Sequence, residues 1–281
     1  FKKFLPRAKT ICYQFGYIFN EDINSFYKKN FDGKIVDYFL GYDERSILIM
    51  NKFLKTRWLI NGSTKANETF DIKYKPKFEI TYVSRYKPLS NIHDKKIINL
   101  NKLIRNYDLK FLKILEKFCF EKKIKLNIAF TSKRPDKKKF NFFKKELNYF
   151  NSIISNFNIA TNNFKNCINS KLVINSTSNL GYELLFTKKK VLFLDAYRKR
   201  NQYGFFKKRE GPFWYYGNNE KRIRKYIENF YILNQNQWLK KLYASNKSFM
   251  KFHKNINLYK NNLSFKKKIS KLIVYEKKHS R

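Results

Sequence analysis

The chain has 281 residues, enough for two modest domains or one large one, and 43% of them are hydrophobic, which allows a substantial core. The formal net charge is +41, from 62 Lys and Arg against 21 Asp and Glu, and it favours anionic partners such as a lipid leaflet or a phosphorylated substrate. Lys, Asn, Ile, Phe and Tyr, whose codons are rich in A and T, are abundant, so genome composition accounts for most of this charge and no nucleic-acid partner is predicted from it.

Cysteine and histidine usage excludes several kinds of site. Cys12, Cys119 and Cys167 are far apart in apolar neighbourhoods, which is typical of a reducing compartment and not of a disulfide framework. None of the 3 His lies near a cysteine in sequence, so no metal site is predicted. There is no apolar run of membrane-spanning length and no signal peptide, so the predicted location is the cytoplasm, including peripheral contact with the inner face of an anionic membrane.

The first part of the chain predicts the end of an α/β domain. Short apolar runs predict strands, and one segment whose apolar residues recur at helical spacing predicts a helix. The predicted strands are 8–13, 35–40 and 58–60, and the helix is 43–53. Because the chain begins with Phe1 and not with Met, we expect it to be a piece of a longer protein.

A polar, lysine-rich segment over 64–77 contains Pro76 and is typical of a linker. We place a domain boundary within it, so that 1–75 and 76–245 belong to different domains. The lysine-rich residues 246–281 predict a C-terminal helix with a basic, solvated tail.

After this boundary, strands and helices alternate regularly. Residues 102–120 predict the best-defined helix, because apolar residues at spacings of three and four form one stripe. Repeated strand–helix crossovers predict a parallel sheet with helices on both faces. The other predicted elements are strands at 78–84, 124–131, 157–160, 172–174 and 191–194, helices at 136–149, 164–168 and 180–185, and helices from 219 onwards.

Residues 171–195 predict a compact strand–helix–strand unit whose first turn is rich in small polar residues. The hydroxyl-bearing residues 176–178 can cap the helix, and the N–H groups beside them would face an anion placed at the turn. Glu183 is close enough to that end to accept hydrogen bonds from sugar or ribose hydroxyls. The alternative is that the serines only cap, Gly181 only lets the helix pack closely, and Glu183 is solvated.

In parallel sheets, ligands bind beyond the carboxyl ends of the strands. This rule gathers several polar residues on one edge of the predicted sheet, where two arginines and a helix N-terminus suit a diphosphate. Each arginine taken alone is better explained as a solvated loop residue. The residues at this edge are Ser84, Arg85, Lys133, Arg134, Ser176, Thr177, Ser178 and Asp195.

Four successive aromatic residues at 213–216 follow Pro212 and lie between Gly211 and Gly217. Such a run is too dense for a plain solvent loop. It either plugs the core or forms the wall of a pocket that stacks a base or a sugar ring, with Trp214 in that wall.

Six short motifs carry a resemblance to a known family. The most specific is STSNLGYELL at 176–185, and GPFW at 211–214 accompanies it; the others are YQFGY at 13–17, VDYFLGY at 36–42, NGSTKAN at 61–67 and ITYVSRY at 80–86. In this order the motifs resemble those of bacterial surface-carbohydrate (O-antigen or capsule) biosynthesis proteins of the GT-B glycosyltransferase type. The chain is distantly similar to the CDP-glycerol glycerophosphotransferases.

The resemblance implies an α/β, GT-B-like fold of two facing Rossmann-like domains with parallel sheets, the N-terminal one incomplete. The second domain would hold a nucleotide-activated sugar as co-substrate, without a metal or another cofactor, and the first would bind a glycan or lipid-linked acceptor. The donor-binding residues would be the edge residues named above together with Gly181, Glu183 and Trp214.

Several relatives of this type carry a histidine in the glycine turn that corresponds to 14–16, where this chain has Phe15. This departure favours glycosyl transfer to a polysaccharide or lipopolysaccharide precursor over glycerophosphate transfer. It also leaves the general base open among Glu21, Asp22, Asp37 and a residue before Phe1. The competing class, a basic nucleic-acid-binding protein, would need one contiguous basic face with interleaved aromatic residues.

Overall fold

The computed structural model describes residues 10–13, 37–41, 47, 51, 56–60, 63, 75–86, 95–131, 140–160, 163–176, 178–195 and 209–244. These residues fall into two compact units, one up to residue 63 and one from residue 75 to residue 244. The domain boundaries proposed at 75 and 245 stay predictions. Of the helices in the described ranges, none combines the length and the hydropathy that a membrane-spanning segment requires.

The first unit contains a parallel sheet of three short strands. In sheet order they are β1 (Ile11–Tyr13), β2 (Tyr38–Gly41) and β3 (Arg57–Ile60), and each overlaps a predicted strand. Tyr38 and Leu40 of β2 are buried, and on the other face of this strand the rings of Phe39 and Trp58 lie 4.8 Å apart. The helix predicted over 43–53 lies mostly outside the described residues.

The second unit alternates strands and helices along the chain. Its elements are β4 (Phe78–Val83), α1 (Lys95–Glu121), β5 (Leu126–Ala129), α2 (Phe140–Asn151), β6 (Phe157–Ala160), α3 (Asn163–Ile168), β7 (Ser170–Asn175), α4 (Asn179–Phe186), β8 (Val191–Asp195), β9 (Glu210–Gly211), β10 (Trp214–Tyr216), α5 (Glu220–Ile232) and α6 (Gln235–Ala244).

These strands form one sheet in the order β6-β5-β4-β7-β8-β10-β9, and all neighbours are parallel except β10 and β9. This is the order of a doubly wound sheet, in which the chain moves outwards from β4 in one direction and then from β7 in the other. The predicted α/β class with parallel sheets is therefore confirmed.

The core lies on both faces of this sheet. Every residue of β5 and β8 is buried, which explains why these strands are apolar runs without alternation. The predicted stripe of α1 packs towards the sheet through Phe111, Leu115 and Phe118, all of them buried. Helices form where such a stripe exists, and strands form where an apolar run is covered from both sides.

The aromatic run differs from its prediction, because no strand was expected there. It contains β10, which pairs in parallel with β8 and widens the sheet. The turn from β9 to β10 holds Gly211 against the Trp214 indole, and a Cβ at this glycine would lie 2.0 Å from Cζ2 of the indole. Only a residue without a side chain fits this turn.

Candidate functional site

The strand order reverses between β4 and β7, and ligands of doubly wound sheets bind at the carboxyl ends of such a pair. β4 runs out through Ser84 and Arg85, β7 ends in Asn175 and leads into α4, and β8 ends in Asp195. The structure therefore brings these predicted residues and the turn before α4 to one edge of the sheet.

The turn before α4 is a capped helix start. Ser178 has φ −72° and ψ 139°, and its Oγ accepts a hydrogen bond from Leu180 N at 3.3 Å. Its carbonyl accepts a second one from Gly181 N at 3.1 Å. Ser178 and Leu180 are half-buried and Asn179 is exposed, so the first turn of the helix is open to solvent.

Two buried polar atoms in this turn have no hydrogen-bond partner among the described residues, namely Asn175 Oδ1 and Ser176 Oγ. Asn175 is 0% exposed and Ser176 is 3% exposed. Asn175 Nδ2 donates to the Ser178 carbonyl at 3.1 Å, which identifies the remaining amide atom as an oxygen that can only accept. A buried polar atom without a partner is unfavourable, so such atoms mark places that a ligand or a water completes.

Asn175 is the residue that the sequence analysis missed. The sequence shows only that an amide side chain ends an apolar strand, and an apolar residue at this position would fit the buried sheet equally well. Gly181 explains how Asn175 fits, because a Cβ at Gly181 would lie 2.4 Å from Asn175 Nδ2. The glycine thus permits close packing of α4 on the end of β7, which is one of the alternatives left open by the sequence.

Arg85 is held in a buried ion-pair cluster and not in an open rim. Its Nε donates to both oxygens of Asp108, at 2.8 and 2.9 Å, and its Nη1 donates to Asp195 Oδ1 at 3.1 Å. The side chains of Arg85, Asp108 and Asp195 are 10%, 10% and 1% exposed. Because β7 lies between β4 and β8, the guanidinium crosses the end of β7 to reach Asp195.

The two carboxylates of this cluster keep the Arg85 guanidinium protonated. Burial lowers the pKa of Arg85, but the two neighbouring carboxylates outweigh it and raise this pKa well above its ordinary value. Burial raises the pKa of Asp108 above its ordinary value in spite of the adjacent guanidinium. Two carboxylates surround one cation, so Arg85 adds no net positive charge to this edge, and its predicted role in donor binding stays a prediction.

Ser84 is engaged in a second buried contact, which joins the ends of β4 and β5. Its Oγ donates to Glu146 Oε1 at 2.6 Å, and Thr131 N donates to the same oxygen at 2.9 Å. Glu146, on α2, is 0% exposed. These contacts connect the carboxyl ends of β4 and β5 through Glu146. The predicted contact of Ser84 with a donor stays a prediction.

The remaining predicted residues divide into buried ones and ones outside the described ranges. Glu183 lies in the second turn of α4 at 3% exposure, and its role towards sugar hydroxyls stays a prediction. Trp214 is 1% exposed, and the Phe213 ring that contacts it lies 5.5 Å from the Trp238 ring, so the aromatic run packs in the core, and a contact of Trp214 with a donor stays a prediction. Thr177, Lys133, Arg134, Glu21 and Asp22 lie outside the described residues.

Asp37, the third candidate for the general base, precedes β2 in the first unit. Its Oδ2 accepts hydrogen bonds from Thr10 N and Thr10 Oγ1, both at 2.9 Å, at the amino ends of β1 and β2. These contacts hold two strands together, and a catalytic role for Asp37 stays a prediction. Within the described ranges, no group of three His, Cys, Asp or Glu side chains is placed to hold a metal ion.

The chain is similar to several solved structures. It matches a UDP-GlcNAc 2-epimerase of Methanocaldococcus jannaschii, in complex with UDP-GlcNAc and UDP, at 14% identity and a TM-score of 0.41, over 72% of this chain and 56% of that chain. For the wall teichoic acid polymerase TagF these values are 12%, 0.44, 80% and 58%. For the glycosylation associate protein (Gap123) complex of Streptococcus agalactiae they are 11%, 0.42, 90% and 50%.

This chain therefore spans about half to three fifths of the length of these structures. No curated protein matches its sequence. A family profile, described as "putative O-antigen biosynthesis protein", matches residues 7–269 and thus nearly the whole chain. This match confirms the resemblance to surface-carbohydrate biosynthesis proteins. The chain belongs to this family of O-antigen biosynthesis proteins.

Proposed function

We propose that this protein is a glycosyltransferase that moves a sugar from a nucleotide-activated donor to a precursor of a cell-surface polysaccharide or lipopolysaccharide. The observation that carries the proposal is the start of α4 at the reversal of strand order, beside the unpartnered Ser176 Oγ and Asn175 Oδ1. Membership in an O-antigen biosynthesis family supports a surface glycan as the product.

The start of α4 would bind the diphosphate of the donor. A helix N-terminus carries about half a positive elementary charge and presents backbone N–H groups to an anion. Ser176 Oγ would donate to a phosphate oxygen. Asn175 Oδ1 can only accept, so its partner would be a hydroxyl of the donor or a water, not a phosphate. Because both atoms are buried, binding would require neighbouring groups to move aside.

Transfer would break the bond between the sugar C1 and the oxygen of the diphosphate, and would form a bond between C1 and the acceptor oxygen. The diphosphate leaves with the electrons of the broken bond, and the helix start would stabilise the charge that develops on its oxygen, without a metal. The acceptor hydroxyl would pass its proton to a carboxylate. Since Asp37 accepts hydrogen bonds from Thr10, we propose Glu21 or Asp22 as the carboxylate that takes this proton.

The two units would act as the halves of a GT-B-like enzyme, the first binding a glycan or lipid-linked acceptor and the second the donor. The parallel sheet in each unit supports this assignment. Such an acceptor would place the reaction in the cytoplasm, at the inner face of the membrane.

Titration calorimetry with nucleotide diphosphates, nucleotide sugars and CDP-glycerol tests the proposal. Ser176→Ala should weaken binding of the best ligand about tenfold, because a hydrogen bond to a charged group contributes about 1.5 kcal/mol. The same change should leave the free energy of unfolding unchanged or raise it, since the hydroxyl has no partner among the described residues.

The matched control is Thr187→Ala at the other end of α4, where Thr187 Oγ1 donates to the Leu184 carbonyl at 2.7 Å. This variant should keep the affinity of the wild type. If no ligand of the panel binds, or if both variants weaken binding equally, the start of α4 is not a donor site. Preference for CDP-glycerol over all nucleotide sugars would replace sugar transfer by glycerophosphate transfer.

A further inference from the structure

The side of α1 that faces away from the sheet is basic and carries exposed apolar side chains. With about 100° of rotation per residue, its exposed residues fall within an arc of about 120°. We call this arc the outer face of α1; it consists of Asn99, Lys102, Leu103, Asn106, Leu109, Lys110, Lys113, Lys117, Phe120 and Glu121. All of these residues are exposed, whereas Phe111, Leu115 and Phe118 on the opposite side are buried.

The acidic residues of α1 offset these lysines only in part, because each of them has a partner outside the outer face. Glu116, on one border of the outer face, accepts hydrogen bonds from Ser155 N at 2.7 Å and Ser155 Oγ at 2.9 Å. Glu121, on the other border, pairs with Arg224 of α5. Asp108 lies on the buried side. The outer face therefore carries four lysines against one carboxylate, and that carboxylate, Glu121, is paired with Arg224.

The apolar residues of the outer face are unusually exposed for a helix that covers a core. Phe120 is 84% exposed, Leu103 41% and Leu109 37%. Phe120 precedes Lys122, Lys123 and Lys125, which are exposed as well. Exposure of an aromatic ring to water is unfavourable, whereas a ring flanked by lysines suits the boundary between lipid headgroups and acyl chains, where the ring is buried and the ammonium groups meet phosphates.

We propose that the outer face of α1 docks on an anionic lipid bilayer, with its lysines at the lipid phosphates and Phe120 entering the interface. Charge complementarity supplies the attraction, at about one order of magnitude in affinity for each one or two lysines. Nucleic acid fits this face less well, because Leu103 and Leu109 offer no ring for a base to stack on. The one arginine of the helix in the described part, Arg105, lies over the rings of Tyr86 and Tyr149 instead.

This inference goes beyond the proposed function and does not depend on it, since it concerns a surface and not the donor site. Co-sedimentation with phosphatidylcholine vesicles, with and without phosphatidylglycerol, tests it. The triple variant Lys110→Gln, Lys113→Gln and Lys117→Gln should bind the anionic vesicles about a hundredfold more weakly than the wild type. Phe120→Ser should remove the part of the binding that persists at high salt.

The control is the triple variant Lys221→Gln, Lys225→Gln and Lys240→Gln, which removes the same charge from exposed positions on α5 and α6. It should bind the vesicles within about threefold of the wild type, because these lysines lie off the outer face. Equal losses in both triple variants would overturn the proposal in favour of unspecific attraction by the whole basic chain. Unchanged vesicle binding by the α1 variant, with lost binding to a DNA duplex, would overturn it in favour of nucleic acid.

Discussion

The two edges of the seven-stranded sheet differ in how their buried polar groups are satisfied. At the amino edge, Lys190 is 4% exposed, and its Nζ donates to the Leu233 carbonyl at 2.5 Å. At the carboxyl edge, Asn175 Oδ1 lacks a partner within the described ranges. The buried lysine at the amino edge is thus hydrogen-bonded, whereas the buried amide oxygen at the carboxyl edge has no partner among the described residues.

A hydrogen-bonded pair contributes to stability, whereas an unpartnered buried atom costs folding free energy. The carboxyl edge contains both kinds, because Arg85 and its two carboxylates are fully paired while the turn before α4 is not. By its charge, Arg85 would be expected to contact an anionic ligand. Its hydrogen bonds to two carboxylates make the turn before α4 the better candidate.

The largest expected effect comes from removing the Arg85 guanidinium. Arg85→Met leaves the buried carboxylates of Asp108 and Asp195 without their cation, so the free energy of unfolding should fall by about 3–5 kcal/mol in urea unfolding. Arg222→Met is the control, because the side chains of Arg222 and Glu210 are 58% and 49% exposed and such pairs contribute about 0–1 kcal/mol. If Arg85→Met lost no more unfolding free energy than Arg222→Met, the buried cluster of Arg85, Asp108 and Asp195 would not stabilise the carboxyl edge.

A smaller effect is expected where α4 packs on β7. In Gly181→Ala the new methyl group meets the Asn175 side chain at 2.4 Å, so the helix has to shift, and we expect a loss of about 1–3 kcal/mol together with weaker nucleotide binding. Asn179→Ala serves as the control, since Asn179 is exposed in the same first turn of α4 and this change adds no atom there. If Gly181→Ala kept the stability and the affinity of the wild type, close packing of α4 on Asn175 would not be required for either.

The smallest effect tests the amino edge through pH. Burial lowers the pKa of Lys190 to about 8 from its ordinary value of 10.5. Between these values the unfolded chain binds more protons than the folded one, so the cost of burying this lysine is full below about pH 8 and is relieved as the pH rises towards 10.5. From about pH 7 to about pH 10, the wild type should therefore gain about 1–2 kcal/mol of stability relative to Lys190→Met.

Comparing two chains at each pH cancels the tyrosines and cysteines that titrate in the same range. Lys221→Met, at an exposed position on α5, controls for the loss of one positive charge. A difference between wild type and Lys190→Met that stays constant over this range would mean that the Lys190 ammonium is not desolvated at the amino edge.

Several features could be predicted because they depend on neighbours in sequence. The apolar runs in β5, β7 and β8 indicate buried strands, and their alternation with helices predicts a parallel sheet. The cap at Ser178 follows in the same way, since a hydroxyl two residues before the N–H that it accepts from needs no tertiary contact.

Other features depend on residues that are distant in sequence. β10 is a strand because it pairs with β8, with Trp214 opposite Phe193, and an aromatic run by itself does not distinguish a strand from a pocket wall. Arg85 and Asp195 are 110 residues apart, so no local pattern announces their ion pair.

The sequence by itself determined the α/β class with parallel sheets and the helix start at Ser178, because apolar runs, their alternation with helices and helix capping can be recognised from residues that are close in sequence. The binding of a ligand at the carboxyl edge of the sheet stays a prediction. Only the tertiary structure decided which polar groups at that edge are already paired. Pairing depends on which side chains the fold brings within hydrogen-bond distance, and here it closed Arg85 between two carboxylates while it left Asn175 Oδ1 and Ser176 Oγ buried without a partner among the described residues.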